Sequence, residues 1–392
     1  MRALIVDSGQ GRGGLAAARA LAREGWTVGM AGPTRVGLGM LSRAVRHRHL
    51  IPPHSTDTSA FVQAVEEAIS ARDYEVVFGC SDGEALTLSR ERHRVHAAVP
   101  HPPHAVMVRA HDKVELGAAA EKVGMSVPPS AASGAEARDR WGAEPMIVKE
   151  RLHVPPTTGE DLPHLATHAC ATDLAVDQRV EELRAAGAIP VVQPLLGGHL
   201  MAFASVLDRQ GRMLDCVQQV AERTYPRQAG LSVRAQTVAV EEPLVEQVCE
   251  LLSELDWFGL SQLQFIVPPT GIPVLLDFNG RFYGSISLAL AAGVNLPDTW
   301  ARMITGRTPL EARRARPGVR YQWLEGDLRA ARERPRGPLR DAVASMRYRS
   351  GACPSIWRTK DPIPGLLTVG SLLRTSARLL RRTAHGSESP AL

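Results

Sequence analysis

Residues 263–285 constrain the fold more than any other stretch. They hold two apolar runs joined across Pro268-Pro269-Thr270-Gly271, which reads as a β-hairpin. Strand alternation places Val274, Leu276, Phe278 and Gly280 on one face, and Leu275, Asp277, Asn279 and Arg281 on the other. Gln264 is the polar exception in the first run. An oxygen-bearing row that ends in a cation suits a hard divalent ion such as Mg²⁺. Such an ion takes a few carboxylate and amide oxygens and leaves its other positions to water and substrate phosphates. Arg281 would then stand where phosphate charge develops. The same spacing fits an edge hairpin whose polar face merely meets water, and the pattern alone leaves the two open.

The chain of 392 residues, 44% hydrophobic and 22% charged, is long enough for two or three domains with a sizeable core. Its five cysteines are odd in number and scattered, which fits reduced thiols and excludes a zinc-type spacing. No run approaches the roughly 18 apolar residues of a spanning helix, and the apolar start is too short for a signal peptide. The expectation is therefore a cytoplasmic protein, neither exported nor membrane-spanning. A net charge of +5 with 5% aromatic residues and no basic-aromatic motif argues against nucleic acid as partner. Lysine occurs only at 113, 122, 149 and 360 in an arginine-rich background, which singles those positions out.

The amino terminus reads as a strand (3–7), a glycine turn and an Ala/Leu-rich helix, followed by a strand over 26–31, a helix over 58–71 and a strand over 74–78. This is the pattern of a small doubly wound parallel sheet. Gly9, Gly11 and Gly14 satisfy G-x-G-x-x-G, but no acid ends the second strand to meet a ribose, so the glycines are read as packing a helix on a strand. Gly79-Cys80-Ser81-Asp82-Gly83 matches the G-x-S-x-G nucleophile elbow, which makes a serine hydrolase using Ser81 a rival. Capping of the following helix by Ser81 and Asp82 is favoured. His47, His49, His54, His101 and His104 lie in proline-rich, loop-like contexts and are read as surface residues. The final segment 366–382 pairs leucines with four arginines. It suits either peripheral contact with an acidic membrane or docking on its own domain, the second being favoured.

Asp112-Lys113, Val148-Lys149, Val192-Gln193-Pro194-Leu195-Leu196-Gly197 and the run from Leu276 to Ser285, in that order, resemble the ATP-grasp superfamily and especially its carbamoyl-phosphate-synthase-like carboligases. The resemblance implies an α/β and α+β architecture. A Rossmann-like pre-ATP-grasp domain over 1–105 would precede an ATP-grasp domain over 106–310, with a small lid at about 112–195 and a catalytic part at about 196–310, and then a C-terminal appendage over 311–392. It further implies that Lys113 and Lys149 contact ATP phosphates and the adenine side of the cleft, and that the hinge at Gln193, with Leu195 and Leu196 as an apolar wall, meets the adenine. Asp277 and Asn279 would bind Mg²⁺, or Mn²⁺ in its place, with Gln264 standing where the family usually has glutamate. Arg281 would steady the γ-phosphate, with Gly280 in place of the usual proline before it. Arg223 and Ser285 are looser candidates for substrate contact.

The activity so implied is ATP-dependent joining of a small carboxylic acid to an amine or amino acid through an acyl phosphate, with release of ADP and phosphate. The non-enzymatic rival is a catalytically decayed nucleotide-binding regulator. A homodimer is the prior for a soluble enzyme of this size.

Overall fold

The computed structural model describes the chain apart from residues 9–10, 143–144, 153–166, 228–229, 308–310, 333–337 and 371–392, and apart from the side chains of 168 and 338–339. Gly9, most of the loop after Lys149 and most of the expected final helix thus lie outside the described residues.

The first domain runs β1 (Arg2–Val6), α1 (Arg12–Arg23), β2 (Thr27–Gly32), β3 (Val45–Leu50), α2 (Thr58–Ser70), β4 (Val76–Gly79) and α3 (Asp82–Arg90). Its strands are parallel, in the order β3-β2-β1-β4. Alternation along β1 sends Leu4 and Val6 to Phe61 and Val65 of α2, and Ile5 to Ala17 and Leu21 of α1, so both faces are dry. The stretch of His47 and His49, expected as loop, forms edge strand β3, where alternate charged residues meet solvent. His54 and His101 are buried rather than on the surface. His101 packs edge-on against Trp300 with ring centroids 5.2 Å apart, and burial pushes its pKa down to about 3.

Helices α4 (His104–His111) and α5 (Lys113–Lys122) follow, then α6 (Gly134–Trp141), β5 (Met146–Glu150), β6 (His168–Cys170), α7 (Asp173–Ala185) and β7 (Pro190–Pro194). The last three strands form an antiparallel sheet, β6-β5-β7, backed by Val176, Val180 and Leu183 of α7. Helix α5 does not belong to this small unit, although the sequence grouping began the lid at 112. Its Leu116, Ala119 and Ala120 share a core with Leu252 and Phe278 of the larger unit. The core of the small unit instead spans Ala131 to Val192.

The larger unit contains β8 (His199–Leu207), β9 (Met213–Tyr225), β10 (Leu231–Val238), α8 (Glu242–Glu254), β11 (Gly259–Val267), β12 (Val274–Asn279), α9 (Ile286–Ala291), α10 (Leu296–Ile304), β13 (Arg313–Arg314), β14 (Arg320–Gln322), α11 (Leu324–Arg332), α12 (Pro338–Arg349) and β15 (Ala352–Pro354). Its sheet has eight strands in the order β12-β11-β8-β9-β10-β14-β15, with β13 beside β9. The chain beyond residue 311 is therefore no free-standing appendage. It completes the sheet, because Tyr321 and Asp327 are wholly buried and need that partner. Among the described residues no helix is long and apolar enough to cross a membrane.

Candidate nucleotide cleft

Between the small and large sheets lies a cavity of about 400 Å³. Strand β5 carries Lys149 to its edge, and the Lys149 Nζ reaches across to donate to the Leu276 carbonyl at 3.1 Å. Burial, followed by the nearby charge of Lys113, lowers its pKa to about 8 against the opposing pull of Asp277. Lys113 begins α5, and its Nζ stands 3.7 Å from Asp277 Oδ1. The start of that helix is fixed by Asp112, whose carboxylate accepts from the Val114 and Glu115 amides and from Arg151 Nε.

The hinge after β7, the neighbouring strand of the small sheet, forms a further wall. Leu195 and Leu196 line the cavity, the Leu195 amide donates to the Pro145 carbonyl at 2.8 Å, and Gln193 Nε2 donates to Ser130 Oγ at 2.9 Å.

The hairpin departs from simple alternation at the place that matters most. Gln264 pairs with Asp277, but the next pair is Phe265 with Leu275, which leaves Leu276 as the extra residue of a β-bulge. Leu275 and Phe278 both turn into the core, while Leu276 and Asp277 both face the cavity. The bulge thus supplies the carbonyl that holds Lys149 and aims the carboxylate beside it. Gln262, which the sequence reading passed over, lies opposite Asn279 and accepts from its Nδ2 at 3.3 Å. Its spacing of two from Gln264 was the available signal.

Gln264, Asp277 and Asn279 therefore share one face, yet they contain a single carboxylate. Among the described residues no group of three or more His, Cys, Asp or Glu could hold a metal by itself. That donor set fits Mg²⁺ or Mn²⁺ shared with nucleotide phosphates, since such ions settle for one or two carboxylates plus phosphate oxygens. It does not fit a cage made by protein alone.

Comparison with known proteins bears on the fold. Residues 200–327 match the family model described as ATP-grasp in the biosynthetic pathway with Ter operon. The chain carries an ATP-grasp fold. It is similar to N5-carboxyaminoimidazole synthetase from Staphylococcus aureus, with TM-score 0.60, 13% identity, and coverage of 81% of this chain and 80% of that one. It is also similar to the L-amino acid ligase from Bacillus licheniformis, with TM-score 0.60, 14% identity, and coverage of 81% and 78%. A third similar structure is the biotin carboxylase domain of Hydrogenobacter thermophilus 2-oxoglutarate carboxylase in complex with MgADP and bicarbonate, with TM-score 0.63, 11% identity, and coverage of 81% and 73%. No curated protein sequence matches the chain.

At the far end of the hairpin, Gly280 passes under the Trp257 indole, with which any Cβ would collide, so the proline that the resemblance leads one to expect there has no room. Arg281 then donates from Nε and Nη2 to the two oxygens of Asp82, at 2.8 and 3.1 Å. Asp82 is not a helix cap. Ser81 accepts from the Glu84 amide and Glu84 reaches back to the Ser81 and Cys80 amides, a capping box that frees Asp82 to face the hairpin. The Ser81 hydroxyl is thus held as a cap, and among the described residues no histidine hydrogen-bonds to it. Burial opposes the charge on Asp82, but Arg281 and His111 outweigh it and hold the carboxyl well below its usual range.

Two sequence candidates sit elsewhere. Arg223 donates to Asp327 at 2.9 Å, and the other oxygen of that wholly buried carboxylate is taken by Arg234 and Gln322. It therefore ties β9 to α11. Ser285 Oγ accepts from Gln219 Nε2 at 2.9 Å. Neither lines the cavity, and Asn279 and Arg281, farther along the hairpin, do not line it either, whereas Lys113, Lys149, Gln193, Leu195, Leu196, Gln264 and Asp277 all do.

The space beside the described glycines of the turn is occupied by protein. A Cβ on Gly11 or Gly14 would collide with the Asp7 carboxylate, and one on Gly13 would lie 2.6 Å from the Phe282 carbonyl oxygen. Those glycines seat the start of α1 on the backbone that follows Arg281.

Proposed function

We propose that this chain is an ATP-dependent carboxylate–amine ligase. The observation that carries the reading is the convergence of Lys149, Lys113 and Asp277 on one cavity, with Lys149 bridging from the small sheet to the bulge beside Asp277. Two buried ammonium groups stand beside a single carboxylate, and a chain of nucleotide phosphates would complement that charge. The resemblance to an L-amino acid ligase supports a carboxylate and an amine as the substrate pair.

Leu195 and Leu196 supply an apolar wall for the adenine. Lys149 and Lys113 neutralise phosphate oxygens, and Arg281 meets the charge that grows on the γ-phosphoryl group as a substrate carboxylate oxygen attacks its phosphorus. The bond to the β-phosphate oxygen breaks and ADP leaves. The amine lone pair then attacks the acyl phosphate carbon, phosphate departs with the electron pair of the C–O bond, and the amine proton is lost to solvent or phosphate. A magnesium ion held by Asp277 with Asn279 and Gln264 would supply further charge neutralisation on the phosphates. Enclosure between the two sheets aligns the reactants and keeps water from the acyl phosphate.

The test is ADP release across a panel of acid and amine pairs, with the product identified by mass. Tight ATP binding with no ADP from any pair would instead favour a nucleotide-binding regulator, the reading that the single carboxylate of the metal row motivates.

A further inference from the structure

The Asp82–Arg281 pair joins residues 199 positions apart and belongs to no element of the cleft itself. Asp82 comes from the first domain, at the opening of α3, where the Ser81–Glu84 capping box fixes the backbone. Gly79 allows the same turn to close tightly, since a Cβ there would lie 2.6 Å from the Ala85 amide nitrogen. Arg281 is anchored equally firmly by the Gly280 backbone beneath Trp257. The contact between these two rigid supports is a fork of two hydrogen bonds onto both carboxylate oxygens, which fixes the plane of the guanidinium as well as its place. Nε and one hydrogen of Nη2 are consumed, so three N–H groups remain for a ligand.

A third group stands behind the pair. His111 Nε2 lies 3.4 Å from Asp82 Oδ1, and its Nδ1 is 2.7 Å from the Met107 carbonyl. A carbonyl only accepts, so Nδ1 carries a hydrogen toward it and the ring is held by helix α4. A buried ion pair is a weak source of stability, because desolvation offsets the attraction. The pair's geometry is better explained by orientation.

We propose that Asp82 is the positioning residue for Arg281: its carboxylate holds the guanidinium in the plane that meets the terminal phosphate of ATP. The proposal rests on Arg281 meeting that phosphate, as the ligase reading has it. It makes the first domain a working part of the phosphate site, because only a docked first domain presents Asp82.

The experiment compares the affinities of MgATP and MgADP for the full chain by calorimetry. The ratio of the two reads the γ-phosphate contact, and MgADP affinity serves as the control for a folded cleft. Arg281→Ala should reduce the preference for ATP by about 10- to 100-fold. Asp82→Asn should reduce it by about 5- to 20-fold while MgADP affinity stays within about twofold, and the double variant should be no worse than Arg281→Ala alone. A wild-type ratio in Asp82→Asn, with the ratio lost in Arg281→Ala, overturns the role of Asp82. An unchanged ratio in Arg281→Ala overturns the phosphate role of Arg281, and the positioning role with it. If Asp82→Asn does not fold, Asp82→Glu decides, since it keeps the charge and displaces the guanidinium by one methylene. A lowered ratio supports the proposal and an unchanged one contradicts it.

Discussion

Two helices of this molecule begin where a strand or turn delivers them to a crevice, and their surroundings differ sharply. Helix α1 opens with a glycine-rich turn, the pattern most often associated with bound phosphate, yet the Phe282 carbonyl and the Asp7 carboxylate fill the space those glycines leave. Helix α5 opens with Asp112-Lys113 and no glycine, and its first residue borders a cavity of about 400 Å³ with Lys149 and Asp277. A glycine motif reports that something approaches the backbone closely and does not say what. Here the approaching groups are the Asp7 carboxylate, at Gly11 and Gly14, and the hairpin's own continuation, at Gly13, so the turn packs protein against protein.

The contrast can be broken or sharpened by substitution. The largest effect is expected for Asp277→Asn, which removes the one carboxylate of the metal row. ADP release should fall by about 10³-fold or more with the thermal transition retained, and full activity would remove Asp277 from the site. Next comes Lys149→Ala, expected to weaken MgATP binding by about 30- to 100-fold in a titration, since it deletes a desolvated cation contact. At the other helix, Gly13→Ala forces a methyl onto the Phe282 carbonyl. It should lower unfolding free energy by about 1–3 kcal/mol in a denaturant titration, and wild-type stability would show that the two units do not meet there.

A pH series probes Lys149 without mutation. Its pKa of about 8 lies below the ordinary 10.5, so between those values the unfolded chain holds a proton that the folded chain lacks. The contribution of this group to stability therefore rises with pH across that window. Phosphate binding needs the charged form, so MgATP affinity should move the other way, falling by up to about tenfold per pH unit above about 8. A flat profile to pH 9.5 would place the Lys149 charge outside nucleotide binding. The smallest effect is expected for Gln264→Glu, where an added carboxylate should strengthen the metal dependence of binding by only a few-fold, read as the Mg²⁺ concentration that half-saturates it.

Much of this arrangement is legible in the sequence, and the exceptions share a cause. The Gln193 hinge comes with the family resemblance, while the hairpin, the scarcity of lysine and the parallel first sheet follow from local pattern, because period, turn residues and rarity are local properties. The bulge at Leu276 is not, since it depends on how β11 and β12 register, and it breaks the alternation that had put Leu275 and Asp277 on one face. Arg223 illustrates a second limit. The family resemblance offers it for substrate contact, but Asp327, 104 residues later, claims it. The same holds for Asp82, whose residue type favours a helix cap until Arg281 is folded against it, and for the segment after 311, whose arginines and prolines conceal three short sheet strands.

The measurement that bears most directly on the central claim is a parallel titration of MgATP and NAD against the wild-type chain and Lys149→Ala. The cleft between the two sheets, and not the glycine turn, is the nucleotide site if MgATP binds saturably, NAD does not, and Lys149→Ala weakens the MgATP isotherm by about 30- to 100-fold. Saturable NAD binding that survives Lys149→Ala, or MgATP binding indifferent to that substitution, would contradict the account.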